Sequence, residues 1–245
     1  MAAPETAAPS PSSTPVVTDA VRLVRVLFSP SAVFGEIKEK PTFWMPWLII
    51  SILFAVVQFL QGPFQARVRE IVIQESGRPM PAGATGPVVQ IISAVFTPVV
   101  VLAIAAISAA VLYGLTAAFG GEATFKKMLT VTIFMWPLEV IRQLLTFAVL
   151  SMRGVESINS ASDMWVSLGA DLLLPADTGV GTFVRAILAG IGPIQVWSAA
   201  ICAIGISTMT GLEKGKAWTV AVISWAIGVL VTAGLASIGM RFAGG

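Results

Sequence analysis

Long apolar runs, separated by short polar links, repeat along the whole chain. A helix needs about 18 or more apolar residues to cross a bilayer, and several of the runs exceed that length. The pattern therefore predicts an all-α, polytopic membrane protein with five transmembrane helices and short amphipathic helices at the membrane surface. The predicted spans cover residues 43–61, 98–119, 127–150, 183–208 and 217–240.

Two segments precede the first span. Residues 1–17 are mostly Ala, Pro, Ser and Thr, a composition typical of a disordered tail. Residues 18–42 form an amphipathic interfacial segment of two short helical pieces, with apolar and charged side chains on opposite faces. The segment is predicted either to lie in the headgroup layer or to cap the bundle from the water side. Its apolar positions are Val21, Val24, Leu27 and Phe28, then Val33, Phe34 and Ile37.

Residues 43–240 form the predicted five-helix transmembrane domain, and glycines and prolines mark its first break. After Gly62-Pro63, a second surface helix is predicted over residues 64–75. Residues 79–87 are rich in Pro and Gly and are predicted to form a loop. The first span is therefore expected to cross the membrane and then turn along its surface.

Prolines also divide the later spans. Pro98 is predicted to split an apolar run that is too long for one span, and Gly192-Pro193 to interrupt the fourth span. Residues 168–174 are predicted to form a surface turn. In the second span every fourth residue is small, a pattern that lets another helix approach closely. These small residues are Ala106, Ala110, Gly114 and Ala118.

Composition narrows the functional classes. Of the 245 residues, 56% are hydrophobic and 11% are charged, against about 25% charged in a typical soluble domain. The chain has no His and one Cys, which excludes His-ligated metals, His-based catalytic sites and an intramolecular disulfide bond. The net charge of +2 is spread over short loops, so it forms no basic face for nucleic acid. We expect no catalysis, no metal or other cofactor, and no nucleic-acid partner.

The third predicted span contains two charged residues. Glu139 and Arg142 are three positions apart, so on a helix they share a face and can pair. An unpaired charge costs about 2.5–3.5 kcal/mol at the centre of a transmembrane helix, and pairing offsets part of that cost. The pair either fastens this helix to its neighbours or lines a polar pathway or substrate site.

Three further polar or helix-breaking residues belong with this pair. Pro137 leaves the carbonyl of Ile133 without its helical hydrogen bond, which predicts a kink. Gln143, next to Arg142, and Gln195, in the fourth span, are candidate hydrogen-bond partners for Arg142. Each is equally suited to an isolated hydrogen bond between helices.

Two links combine glycines with lysines. Lys126 and Lys127 end the first link, and Lys214 and Lys216 lie in the second. They are predicted either to contact anionic lipid or a soluble partner, or to be ordinary turns facing the cell interior. Basic residues near the spans number eight on the N-terminal side and six on the other. The positive-inside rule then places the N-terminus in the cytoplasm and the C-terminus outside.

Four stretches, taken in order, resemble bacterial members of the Yip-domain family. They are LFSPSAVF followed by EKP (residues 27–34 and 39–41), FGGEATFKK (119–127), the proline of Trp136-Pro137, and the hairpin from Trp197 through GLEKGKA (211–217). The resemblance covers roughly residues 23–238. It implies a five-span integral membrane protein of a family named for interaction with Ypt/Rab GTPases in eukaryotes, with roles in trafficking or membrane organisation and no established reaction.

The resemblance implies that a bacterial member, which has no Rab partner, lies in the inner membrane as a membrane-organising or partner-binding module. The expected partners are the lipid bilayer and either another membrane protein or a second copy of the chain. A small transporter or channel with a polar route at Glu139 and Arg142 is the alternative function.

Overall fold

The computed structural model of the protein describes residues 15–76, 87–174 and 181–243. Within these ranges the chain forms helices joined by turns and loops, which confirms the all-α fold class. The α-helices of the described residues are α1 (Pro15–Arg25), α2 (Pro30–Ile37), α3 (Trp44–Leu60), α4 (Gly62–Ser76), α5 (Pro87–Ala118), α6 (Phe125–Arg153), α7 (Thr182–Ala189), α8 (Pro193–Thr210) and α9 (Lys214–Ala243).

Four of these helices, α5, α6, α8 and α9, are individually long and apolar enough to cross a membrane. α3 has 17 residues, or about 26 Å of helix, slightly less than the ~30 Å hydrocarbon core. It meets α4 at a bend of 56°, so the described residues contain four spans, or five if this bent pair is one span and not a re-entrant loop. The predicted second surface helix is therefore α4, which continues from the end of α3 after one residue.

Neighbouring helices alternate in direction. α3 and α6 run parallel, because the rings of Phe54 and Trp136 lie 6.0 Å apart and Gln61 bonds Gln143 seven residues further along both helices. α5 and α8 run the other way, since short links join α5 to α6 and α8 to α9. We call the end of the bundle where α3, α6 and α9 begin the basic end.

The half of α6 nearest the basic end forms the centre of the bundle. Every residue from Met128 to Phe134 is buried, because α3, α5 and α8 pack around this half of the helix. Its two threonines bond to their own helix: Thr130 donates to the Lys126 carbonyl and Thr132 to the Met128 carbonyl. Their hydroxyl protons are thereby satisfied without water.

The predicted division of the second span at Pro98 is wrong, because α5 is one helix of 32 residues that contains this proline. Prolines are tolerated in transmembrane helices where neighbouring groups support the backbone. Here Trp47 of α3 donates to the Pro98 carbonyl at 3.1 Å, and the Thr97 hydroxyl donates to the Gln58 side chain at 2.9 Å. These contacts hold α5 against α3 at the proline.

The small-residue stripe of α5 does not face the rest of the chain. Ala110, Gly114 and Ala118 are exposed, and Ala106 is half-buried. α5 packs inward through a different face, because alanines occur on several sides of this helix and composition alone does not select one. The buried residues of that face are Val101, Ala105, Ala109, Leu112 and Thr116.

α2 caps the bundle, and its predicted apolar residues point inward. Phe34 is completely buried, with its ring centroid 6.0 Å from that of Phe134. It also lies against Gly205 of α8, where a Cβ would come within 2.9 Å of the Phe34 ring. Gly205 therefore leaves the space that Phe34 occupies.

α1 divides its apolar residues between two environments. Val21, Val24 and Phe28 are exposed, with Phe28 at 80%, whereas Leu23 is buried. The prediction that Leu27 shares one face with these three residues is wrong, since Leu27 packs against the core while they are exposed. α1 ends at Arg25, so helical spacing no longer applies to Leu27. The exposed strip suits contact with lipid, while the opposite side of α1 packs on the bundle.

Most of the other predicted breaks are found. α7 and α8 are separate helices, which confirms the interruption at Gly192-Pro193. A 3₁₀ turn at Ala170–Leu173 lies within the turn predicted over residues 168–174. α1 begins at Pro15, three residues inside the predicted tail, because proline is favoured in the first turn of a helix. The rest of that tail, and the predicted loop 79–87 except Pro87, lie outside the described residues.

Candidate functional site

Glu139 and Arg142 lie on one face of α6 and bind each other through two hydrogen bonds. Arg142 Nε donates to Glu139 Oε2 at 2.8 Å, and Arg142 Nη2 donates to Glu139 Oε1. The spacing of three residues predicts this contact. A two-pronged pair between guanidinium and carboxylate is among the strongest polar contacts available to side chains. Each charge is therefore compensated within one turn of helix.

Gln61 connects this pair to α3. It directly follows the last residue of α3, at the bend into α4, and its side chain is buried. Its amide nitrogen lies 3.3 Å from the Gln143 carbonyl and 3.4 Å from Gln143 Oε1. Gln143 in turn donates to Glu139 Oε1 at 3.3 Å. We call Gln61, Glu139, Arg142 and Gln143 the polar cluster.

Sequence reasoning ended the first span at Gln61 but did not identify this residue as part of the site. A signal was present, since the glutamine stands immediately before Gly62-Pro63. A helix break at membrane depth leaves backbone groups that need polar partners. A polar side chain at such a break is therefore a candidate for a contact between helices.

The Glu139–Arg142 pair lies at the edge of the bundle. Its side chains are 38% and 30% exposed, whereas Leu138 and Val140 are buried. Because one side of the pair is exposed, its described side-chain contact beyond the pair itself is the hydrogen bond from Gln143 to Glu139. This geometry favours the fastening role, because the polar groups bind one another and, through Gln61, join the α3–α4 bend to α6.

The structure does not bring every predicted residue into the cluster. α6 continues through Pro137, which is buried two residues before Glu139, and the predicted kink stays a prediction. Gln195 lies in the first turn of α8, where its Oε1 is buried without a hydrogen-bond partner. Among the described contacts, the guanidinium of Arg142 bonds Glu139 and not Gln195.

The four predicted lysines gather at the basic end. Lys126 and Lys127 lie in the first turn of α6, and Lys214 and Lys216 in the first turn of α9. The first link approaches the end of α8, because a Cβ on Gly121 would lie 3.4 Å from the hydroxyl of Thr210, the residue before the second link. We call these four lysines the lysine rim.

The lysines of the rim occupy helix N-terminal positions that electrostatics makes unfavourable for basic side chains. A helix N-terminus carries partial positive charge and favours acidic side chains, yet the first turns of α6 and α9 contain none. Thr124 caps α6 by accepting the Lys127 backbone N–H at 3.3 Å. The positive-inside rule and attraction to anionic headgroups account for the lysines, whereas local helix energetics do not.

Asp163, outside the membrane-crossing helices, makes local structural contacts. Asp163 Oδ2 accepts hydrogen bonds from the backbone N–H groups of Asn159 and Ser160, both at 2.8 Å. These bonds, that of Asn159 above all, lower the pKa of Asp163. In the part of the chain that the structure describes, no group of three or more His, Cys, Asp or Glu residues is arranged to hold a metal ion.

Comparison with known proteins identifies the family. The sequence model of the Yip1 domain matches residues 24–235, which is most of the chain. The chain is 27% identical over 233 residues to membrane protein YknW of Bacillus subtilis (strain 168), covering 90% of this chain and 91% of that protein. No solved structure matches. Because the Yip1 model covers far more than half of its length, the chain belongs to the Yip1 domain family of membrane proteins.

Proposed function

We propose that this protein is a non-enzymatic membrane-organising or partner-binding module of a bacterial inner membrane, and that the lysine rim is its docking surface. The placement of two lysine-bearing links at the same end of the bundle carries this proposal. Similarity to a Bacillus subtilis membrane protein supports the bacterial setting.

The rim faces the cytoplasm when the N-terminus is inside and the C-terminus outside. There, each lysine near the membrane surface gains about 1 kcal/mol from anionic lipid. Both links turn at a glycine in the left-handed region, with φ +84° at Gly120 and +71° at Gly211. Residues with side chains rarely adopt this backbone conformation, so glycine is required at the turns that lead into α6 and α9. The occupant of such a surface is anionic: an acidic protein face or phosphate headgroups.

The test compares two pairs of substitutions that remove equal charge from the basic end. Lys126→Gln/Lys214→Gln neutralises one lysine in each link of the rim. Lys38→Gln/Lys40→Gln, the control, removes two charges just before α3 and outside the rim. The full-length variants are crosslinked in native membranes and purified, and co-purified proteins and retained phosphatidylglycerol are quantified against the wild type. A reporter fused to the C-terminus, active only outside the cytoplasm, checks the orientation.

We expect the rim variant to lose a bound species severalfold while the control keeps it. Loss of a protein identifies an acidic partner, and loss of phosphatidylglycerol alone identifies lipid. If the rim variant retains the same proteins and lipids as the wild type, the rim is not a docking surface and the proposal fails.

A further inference from the structure

α5, α6, α8 and α9 line an open cavity of about 210 Å³ on the side of α6 that carries Thr132 and Trp136. An engineered apolar cavity of about 150 Å³ accommodates benzene, so this space can hold a single-ring molecule with one polar substituent. It is smaller than the ~300–1,000 Å³ of sites for drug-sized ligands. Trp136 and Trp225 provide aromatic walls.

The lining of the cavity is mainly apolar, but it includes polar side chains although it lies within the membrane-crossing part of the bundle. The side chains of Ser108, Ser198 and Ser224 line it, one each from α5, α8 and α9, and none makes a hydrogen bond with the described residues. Gln195 also lines it, but its Oε1 is buried beside Gly192 and does not face the open space. Thr132 has already donated its proton to Met128 and can only accept. The lining thus offers several unused donors and acceptors.

The chemistry of the lining indicates which ligand it takes. All twelve residues placed around the cavity are uncharged, so a charged ligand would lose its hydration without a counter-ion. A purely apolar ligand would leave the serine hydroxyls unsatisfied, a cost of about 1–3 kcal/mol for each hydroxyl that it buries. A neutral molecule with an aromatic body and a hydroxyl or amide avoids both costs.

We propose that this cavity, which we call the serine cavity, is a binding site for a small uncharged molecule that donates and accepts hydrogen bonds. Such a molecule reaches the site from the lipid phase, since neutral solutes of this size enter bilayers. The site is separate from the lysine rim and from the polar cluster. The inference therefore does not depend on what docks at the basic end.

Cys202 provides the measurement. It lines the serine cavity, is 3% exposed, and is the single cysteine of the chain. The purified full-length protein is treated with methyl methanethiosulfonate, and the labelling rate is followed by intact mass with increasing benzyl alcohol or toluene. At about ten times its dissociation constant, benzyl alcohol should slow labelling roughly tenfold, because only the unoccupied fraction reacts. Toluene, similar in shape but without the hydroxyl, should protect severalfold less.

Two variants and one control locate the effect. Ser198→Ala/Ser224→Ala removes two hydroxyls while keeping the space, so benzyl alcohol should lose its advantage over toluene. Ala221→Leu fills the cavity and should abolish protection by either compound. Ala110→Leu adds the same side chain on the exposed face of α5 and should behave like the wild type.

Equal protection of the wild type by the two compounds would show an apolar void and would overturn the proposal. Absence of protection by either would show that the cavity holds water only, which overturns it as well. If Cys202 proves unreactive, the unfolding temperature decides. Benzyl alcohol should then raise Tm of the wild type relative to the double serine variant, with toluene as reference, and equal shifts would contradict the inference.

Discussion

Glu139 and Arg142 pair within one turn of α6, whereas Glu36 of α2 pairs with two arginines of α1. We call α1 and α2 together the hairpin. In the second group, Arg25 Nη2 lies 2.8 Å and Arg22 Nε 3.3 Å from the Glu36 carboxylate. Both groups join guanidinium to carboxylate at similar distances. They differ in what surrounds them, and that difference sets what each contributes.

The pair in α6 lies near the middle of a membrane-crossing helix, where a separated charge finds no water. Its partners are therefore fixed: Glu139 accepts from Arg142 and from Gln143. The hairpin group is outside the crossing segments, so water and salt compete for its charges. We infer that apolar packing of Phe34 on Gly205 holds the hairpin, and that hydrogen bonds hold the α3–α4 bend to α6.

The largest expected effect is at the membrane pair. Arg142→Met leaves Glu139 without its partner, and we expect the free energy of unfolding in detergent to fall by about 2.5–3.5 kcal/mol, because an unpaired charge is costly at this depth. Glu139→Gln/Arg142→Met removes both charges and should restore most of that loss. Arg153→Met, at the exposed end of α6, is the matched control. A double variant as unstable as Arg142→Met would contradict the pairing argument.

The second-largest loss of stability is expected where Phe34 of the hairpin packs on Gly205 of α8. Gly205→Ala places a Cβ 2.9 Å from the Phe34 ring and 3.0 Å from the Val131 side chain. Overpacking of this kind costs about 1–3 kcal/mol. Gly228→Ala is the matched control, since Gly228 is also helical and a Cβ there meets open space. Thermal unfolding measures the difference in Tm between the two variants. Equal Tm values would show that α2 shifts to accommodate the added methyl group without loss of stability.

The contact between the α3–α4 bend and α6 should be worth less. Gln61→Leu keeps the bulk of the side chain and removes its hydrogen bonds to Gln143. Hydrogen bonds between transmembrane helices average about 0.6 kcal/mol, with a maximum near 1.7 kcal/mol. We expect a loss within that range in unfolding measurements, and none for Gln74→Leu on the exposed face of α4. If Gln61→Leu stabilised the protein, the cluster would not be a fastening.

The hairpin ion pairs should show the smallest effect and the clearest pH dependence. Arg25, and then Arg22, lower the pKa of Glu36 below its ordinary value of 4.5. Because the folded-state pKa is the lower one, the stabilisation is complete above pH 4.5 and is lost as pH falls through the folded-state pKa. Glu36 is well exposed, so the effect should not exceed about 1 kcal/mol.

Thermal unfolding between pH 7 and pH 3 measures this effect. At pH 7 the Tm of Glu36→Gln should lie below that of the wild type. This difference in Tm should shrink at low pH, and at neutral pH it should shrink in 1 M salt. Glu39→Gln, beyond the end of α2, is the control. A Glu36→Gln effect that is larger than that of Gly205→Ala and insensitive to salt would reverse the comparison between packing and charge.

Several features were predictable because each depends on neighbouring residues. The Glu139–Arg142 contact follows from a spacing of three on a helix, and the break before α8 follows from Gly192-Pro193. The same rule, that proline breaks a helix, wrongly predicts a break at Pro98, where α5 is continuous. The effect of this proline depends on support from Trp47, which lies 51 residues away in the chain.

The site residues that the sequence did not reveal are polar side chains of ordinary appearance. Ser108, Ser198 and Ser224 stand in separate apolar runs, where an isolated serine is common, and they become a site by lining one cavity. Gln61 is similar, since its partner Gln143 lies 82 residues further on. No local pattern encodes which faces of two distant helices will meet.

By itself, the sequence determined that this is a helical membrane protein, which runs are long enough to cross, and that the charged residues of α6 pair. These are comparisons of run length with bilayer thickness and of spacing with helical pitch, so they need no knowledge of distant parts of the chain. The tertiary structure decided that Gln61, at the bend of the first span, bonds Gln143 of α6, that the first lysine-bearing link approaches Thr210 beside the second, and that three serines share a cavity. Each of these depends on the rotation of one helix against another, which the packing of the whole bundle fixes.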